Sequence, residues 1–372
     1  MLNNSFWSTN KLQNIIFLVL VPLFLFTTFT LHVTNSQIKT IGKANISQPN
    51  NWQHILILND INGSYGDIGY SDTIKRLVNH AITAWQVELV VSPGDLVAGQ
   101  SLNLTEHNIN SMWQGFHQQI LSPFTKKGIP FATSFGNHDG SKYLAKTQAE
   151  IHTENKANQQ GDGKSHQQQY KYSSERNIAN QFWLNNQPKL NYLYKEHFPF
   201  FYSFEFANTT FVIIDASGFQ MSVQELTLIE NMLANNQNNK PLMVIGHLPL
   251  TGIAINRNKF GEVLQESDTL MALFKQYKVD IYISGHQHVY FPALHQGVFL
   301  LNSGGTPPRS LVGQQNPPRS SVTVLSINTD NQKFHTTTYD LETLKVIDES
   351  SIIGHVKGYP FDLTKSLIQS KH

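Results

Sequence analysis

A chain of 372 residues, 40% hydrophobic and only 14% charged, can bury a large core in one or two domains and leaves a polar, weakly charged surface. A formal net charge of +1 with no Lys/Arg block argues against electrostatic nucleic-acid binding, and no other nucleic-acid-binding signal occurs. The absence of cysteine excludes disulfides, cysteine–zinc sites and a cysteine-anchored lipoprotein, while leaving the redox compartment open.

In chain order, Lys11 precedes the apolar run "NIIFLVLVPLFLFTTFTLHV" at 14–33, close to the ~20 residues that cross a bilayer as a helix. A cleaved signal has a shorter apolar core and a small-residue cleavage site, and "TLHVTNSQ" offers only a poor one, ending near Ser36. Residues 1–36 are therefore expected to be a signal peptide or an N-terminal membrane anchor that exports the rest of the chain, with the membrane as a partner if the segment is uncleaved. A polar linker at 37–51 leads to a domain expected over 52–353 and a tail at 354–372.

The domain opens on a buried strand at 54–59 and a helix near 72–85, where Ile74, Leu77, Val78, Ala81, Ile82 and Trp85 form one stripe and Ser71 can cap. "VELVVSPGD" is the next buried strand, followed by a helix near 105–121 and a short strand within "IPFATSFGNHD". From 141 to about 196 the chain turns polar, and "HTENKANQQGDGKSHQQQYKYSSERN" has no apolar period; it reads as a polar insertion, a solvated loop or a lid over a site. "FFYSFEFANTTFVIIDAS" reads as a hairpin with Asn208 in the turn and Asp215 at the end. A helix at 222–236, the strand "PLMVIGHLP", a helix at 268–277 and the strand "VDIYISGHQHVYFP" come next. Beyond Gly297 the segments "VFLLNSGG", "SVTVLSIN", "KFHTTTYD" and "LKVIDESSII" read as strands. An α/β first half with an antiparallel second half predicts a layered domain with mixed sheets.

Five strand endings carry polar clusters of one kind: Asp60 with Asn62, Asp95 in "PGD", Asn137, His138 and Asp139 in "FGNHDG", His247 in "IGH", and His286 and His288 in "SGHQH". Glycine precedes the first polar residue in four of them, which lets the backbone turn sharply and approach a ligand. The ends of strands along one sheet edge lie near one another, so residues more than 200 positions apart can converge there. Carboxylate, amide and imidazole together suit Mn, Fe, Zn or a similar divalent ion.

In this order the motifs resemble those of the calcineurin-like metallophosphoesterase superfamily, over roughly residues 52–305. The resemblance implies an α/β (α+β) fold, a four-layer αββα sandwich with two mixed β-sheets and a two-metal site at the sheet ends. It implies that Asp95 bridges two divalent ions, that Asp60 and His288 complete the first site, and that Asn137, His247 and His286 complete the second. It implies that His138 faces the substrate, a small phosphomonoester or phosphodiester, and is oriented by Asp139. Such a pair of ions acidifies a shared water and neutralises phosphoryl oxygens, while His138 can protonate the leaving group. Two departures stand out. The usual first motif is Asp-x-His, whereas this chain has Asp60-Ile61-Asn62; and Ala98 stands where purple acid phosphatases carry a tyrosine ligand. Asn62 either coordinates through its amide oxygen or hydrogen-bonds a bound water.

Weaker signals are "GSYGD", a tight turn that could also bring Ser64 or Tyr65 to the substrate, and Arg309 in "NSGGTPPRS", suited to a phosphate fork or to a surface loop. Walker-type phosphate loops are absent. The leading expectation is an exported metal-dependent phosphoesterase. The rival, resting on Asn62, is a degenerate one-metal family member that acts as a binding or scaffold protein.

Overall fold

The first strand, β1 (Trp52–Ile57), shows why one sheet is not enough: Ile55 and Ile57 face one apolar core, while Leu56, with Leu58 just beyond, faces another. A strand apolar on both faces must be covered on both. The computed structural model describes residues 51–144, 170–236 and 240–352 and the backbone of 362–363. Among them, five strands form the first sheet in the spatial order β12 (Phe334–Asp340), β11 (Ser321–Asn328), β1, β2 (Leu89–Ser92) and β3 (Phe131–Thr133). Eight form the second: β13 (Asp362–Leu363), β9 (Tyr290–His295), β10 (Val298–Ser303), β8 (Ile281–Ser284), β7 (Leu242–Ile245), β6 (Thr209–Ile213), β5 (Phe201–Phe206) and β4 (Asn191–His197).

Strands β1, β2 and β3 run parallel, with Leu56 opposite Val90 and Val91 opposite Ala132. Strands β6, β7, β8 and β10 likewise run parallel, and the flanking pairs in both sheets are antiparallel. Both sheets are therefore mixed, as the sequence predicts. Ile55, Ile57 and Val91 interdigitate with Phe211, Ile213, Ile245 and Ile283 between them.

Helices cover the outer faces. Over the first sheet lies α1 (Asp72–Thr83), whose N-cap Ser71 accepts from the Ile74 amide at 3.3 Å and whose buried stripe is Ile74, Leu77, Val78 and Ala81. Beside it runs α2 (Glu106–Phe116), opened by a Thr105–Asn108 capping box and continued through a π-helical turn at His117–Leu121 into α3 (Ser122–Thr125). The single turn α4 (Asn137–Gly140) and α5 (Ser173–Asn185) complete this layer. Over the second sheet lie α6 (Val223–Ala234), with a Ser222–Glu225 capping box, and α7 (Ser267–Gln276), burying Ile229, Leu233, Leu270 and Phe274 against Val212, Val244 and Tyr282. Four layers result.

Two readings of the sequence change. The stretch from 141 to 196 contains α5 and the start of β4, not only polar loop. Ala179 and Trp183 are buried one helical turn apart, but Glu175 and Arg176 are buried on the same helix, and those charges hide its apolar period. In "LKVIDESSII", Val346 makes only an isolated bridge to Tyr339 and Glu349–Ser351 form a 3-10 turn, so no strand forms among its described residues. The expected hairpin does form, with Ala207 and Asn208 at φ 50° and 57° joining β5 to β6, as a two-residue type I′ turn requires. The expected signal or anchor at 1–36, most of the linker, the centre of the polar insertion and nearly all of the tail lie outside the described residues. No helix among the described residues is long and apolar enough to cross a membrane.

Candidate metal centre

Parallel strands of both sheets end at one edge, and six of the seven predicted metal ligands sit just past such an end: Asp60 after β1, Asp95 after β2, Asn137 after β3, His247 after β7, His286 and His288 after β8; the seventh, Asn62, follows two residues after Asp60. Crevices beyond the carboxyl ends of parallel strands are where α/β proteins place ligands. The turns are tight enough that Asp60, Asp95, His286 and His288 all adopt positive φ, 50° to 66°. Non-glycine residues hold that conformation only where surroundings over-determine it. At Gly94, with φ 102°, an added Cβ would overlap the Gly136 backbone, so the second and third strand exits are in direct contact.

The two sheets are joined at this edge by the Asp60 carboxylate, whose oxygens accept the His286 amide at 3.1 and 3.0 Å. Asn59 braces the same carboxylate at 2.5 Å, and Ser303 donates to Asn59 at 2.6 Å. Two groups of ligand atoms converge, Asp60, Asp95 and His288 in one and Asp95, His247 and His286 in the other, the atoms within each group lying within 4.8 Å of one another. Asp95 belongs to both.

The donor set fits a cation at each. His247 gives its Nδ1–H to the Pro93 carbonyl at 2.9 Å, so Nε2 turns inward, 2.8 Å from Asn137 Oδ1 and 3.3 Å from Asp95 Oδ2. A nitrogen lone pair and two oxygens then face one point, where only a proton or a cation can satisfy them. His288 repeats the arrangement: Nδ1–H donates to Pro307 O at 2.8 Å, and Nε2 lies 3.2 Å from Asp60 Oδ1. His286 uses Nε2 outward, on Glu262 at 2.9 Å, leaving Nδ1 as its second donor atom. The Oδ1 of Asn62 is buried with no hydrogen-bond partner among the described residues.

Charges follow from this geometry. Burial alone would raise Asp95, but the imidazoles of His247 and His138 hold its carboxyl well below the usual carboxylate range. Asp60 is likewise lowered by His288 against the effect of burial. Burial opposes charge on His247, yet Asp95 and Asp60 raise it to about 9, so without a cation a proton takes the convergent point. His286 is pushed by burial down to about 4, although Glu262 pulls the other way; it is a neutral imidazole donating to that carboxylate.

His138 lies beside this centre, half-buried, its amide donating to Asp95 Oδ1 at 2.8 Å and the Tyr65 ring centroid 5.4 Å from its own. The orienter of its ring is not the predicted Asp139. His138 Nδ1 bonds the Gly99 carbonyl at 2.8 Å, while Asp139 accepts the amides of Asp95, Leu96, Val97 and Gly136 at 2.7 to 3.0 Å and holds the second strand exit against the third. Burial, then the nearby Asp95 charge, push Asp139 up to about 6 in spite of those four donors. Arg309 has an exposed side chain, and its backbone amide bonds His288 O at 3.0 Å. Its partial shielding from solvent and then the neighbouring Arg257 charge lower its guanidinium.

Sequence reasoning missed the residues that hold the candidate ligands. Glu262, ion-paired with Arg257, fixes His286, and Gln287 accepts the Ile253 and Ala254 amides at 3.1 and 3.0 Å, anchoring the loop that carries them. Gln287 was signalled, as the buried middle of "GHQH"; Glu262 sits in an aperiodic loop and gives no signal. A cavity of about 600 Å³ between α2 and α5, lined by Asn110, Gln114, Asn177 and Gln181 among others, contains none of the ligand residues.

A family model described as calcineurin-like phosphoesterase matches residues 53–290. No curated protein sequence matches the chain. Solved structures similar to it include GAP50, the anchor in the inner membrane complex of Plasmodium, at 15% identity and TM-score 0.48, covering 85% of this chain and 90% of that one. The zinc complex of Vps29 from Entamoeba histolytica is 12% identical at TM-score 0.32, covering 79% and 96%. Vps29 from Cryptosporidium parvum is 11% identical at TM-score 0.34, covering 80% and 96%. With the match spanning well over half of the chain, and with both buried Asp/His clusters falling inside it, the chain belongs to the calcineurin-like phosphoesterase family.

Proposed function

We propose that this protein hydrolyses the phosphoester bond of small phosphomonoesters or phosphodiesters at a pair of divalent cations. The observation that carries the reading is the convergence of two ligand groups on the shared Asp95. Asp60, Asp95 and His288, with the unpartnered amide oxygen of Asn62, would hold the first cation, and Asp95, Asn137, His247 and His286 the second. When bound, such a pair supplies charge neutralisation for phosphoryl oxygens and lowers the pKa of water. Mn, Fe and Zn all suit the donors, and the oxygen-rich first position favours Mn.

The chain's own residues do the rest. His138, held through Nδ1 by the Gly99 carbonyl, presents Nε2 to the departing oxygen and gives it a proton. Asp139 keeps the turn that carries His138 in register with Asp95. Arg309, on the loop tied to His288, is the candidate for a non-reacting phosphate oxygen. The apolar run at 14–33 after Lys11 supports export, which would place this chemistry outside the cytoplasm, either membrane-anchored or released.

The test is a panel. Metal-depleted protein is resupplied with Mn, Fe, Zn or Mg and assayed on p-nitrophenyl phosphate and bis-p-nitrophenyl phosphate. Hydrolysis of either, with two equivalents bound, is expected. Silence with every metal, and one equivalent bound, identifies a non-catalytic binding protein instead.

A further inference from the structure

Asparagine is a metal ligand only if its carbonyl end faces the ion, and nothing in the residue itself decides which end does. Here Asn137 Nδ2 donates to Gln100 Oε1 at 2.8 Å, which turns Oδ1 toward His247 Nε2. The reverse amide orientation would aim an N–H at the His247 lone pair and the Asp95 carboxylate and fill the convergent point with hydrogen bonds.

Gln100 does not hold this posture unaided. Its φ is 71°, a left-handed backbone unusual for a side chain of this size. Its amide donates to Glu175 Oε2 at 2.6 Å, and the next amide, of Ser101, donates to Glu175 Oε1 at 3.0 Å. Glu175 is 3% exposed. A Cβ on Gly99 would lie 2.4 Å from the His138 carbonyl oxygen and 2.7 Å from Glu175 Oε2, so glycine lets the loop pass between the His138 backbone and this carboxylate. The Gly99 carbonyl in turn orients His138. The following helical residue, Arg176, donates to the Gly140 carbonyl at 2.8 Å, at the far end of the Asn137–Gly140 turn, and pairs with buried Asp215.

From this chain of contacts we infer that Glu175 and Gln100 are positioning residues for the phosphoesterase centre: Glu175, in the first turn of α5, fixes the 99–101 loop, and Gln100 aims Asn137 Oδ1 at the second cation position. Both act through Asn137 and His138 rather than on substrate. The inference rests on the two-cation reading above.

The experiment titrates metal-depleted full-length protein with Mn by calorimetry, without substrate. Wild type takes up two equivalents. Gln100→Ala weakens one of them ~10–100-fold, the usual effect of losing a residue that orients a ligand, and leaves the other and the thermal midpoint unchanged. Gln100→Glu, which keeps an acceptor for Asn137 Nδ2, restores it. Gln100→Ala adds little to the loss caused by His247→Ala, because both act on one position. Glu175→Gln, which sets an NH₂ against a backbone N–H, gives the same selective weakening. Unchanged affinities in Gln100→Ala, or equal weakening of both equivalents, overturn the positioning role while leaving the metal reading intact. Wild-type protein that takes up fewer than two equivalents overturns the two-cation reading, and the inference with it.

Discussion

Asn62 stands where the sequence motif would have an imidazole, and its amide oxygen is buried with no hydrogen-bond partner among the described residues. On the proposed assignment two imidazoles, His247 and His286, would serve the second position and one, His288, the first. An amide oxygen is a poorer donor than imidazole for the later transition metals, so the first position would be the weaker and harder of the two. Asn62→His is expected to tighten it and shift its preference toward Zn or Fe, measured by metal titration and elemental analysis; an unchanged preference would remove Asn62 from the site. His138 allows a second test at the same scale. His138→Ala should keep its metals but lose ~10²–10⁴-fold in kcat, and less on a substrate with a good leaving group, which needs little protonation. Equal losses on good and poor leaving groups would show that His138 is not the proton donor.

At the scale of elements, α5 is the one that polarity hid. Its Trp183 lies in a cluster with Trp113, Phe116, Phe131 and Phe182, with ring centroids 5.4 to 6.1 Å away. Trp183→Ala should therefore destabilise the protein by ~3–5 kcal/mol, as expected for a large aromatic removed from a core. A shift in the urea midpoint checks this, and a change under ~1 kcal/mol would mean that α5 is only peripheral. Arg176→Ala strands Asp215, fully buried, without its cation. The loss should be of similar size, ~3–5 kcal/mol, and replacing both partners with apolar residues should recover much of it. The strands are plainer in the sequence. Apolar runs such as "ILIL" and "ELVVS" are covered on both faces, as continuous hydrophobicity requires.

For the whole molecule, the proposed cations would link two sheets that also meet at this edge through hydrogen bonds such as His286–Asp60, Ser303–Asn59 and His247–Pro93. Mn at a free concentration 100-fold above its Kd should thus add about 2.7 kcal/mol to stability, read as a rise in thermal midpoint that a chelator reverses. Dialysis against a mild chelator should remove one cation before the other and abolish activity with one equivalent still bound, after which Mn restores activity better than Zn. Simultaneous loss of both would argue that the two positions are equivalent. The apolar run at 14–33 makes a separate prediction: full-length protein sediments with membranes and a chain beginning at Gln37 does not. Full-length protein in the cytosol with an intact N-terminus would contradict it.

The sequence by itself picked out the candidate ligand set, because a polar cluster at a strand end leaves a local signature: an apolar run, a glycine that permits the turn, then Asp, Asn or His. It also determined the layering, because strands buried on both faces and helices with one apolar stripe admit few arrangements. Only the tertiary structure decided what holds those candidate ligands. Glu262 on His286, Gln100 on Asn137, Glu175 on the 99–101 loop and Gly99, not Asp139, on His138 are all contacts between distant or aperiodic segments. Such contacts are made by one or two hydrogen bonds whose partners carry no periodicity, so nothing in the local pattern records them until the chain has folded.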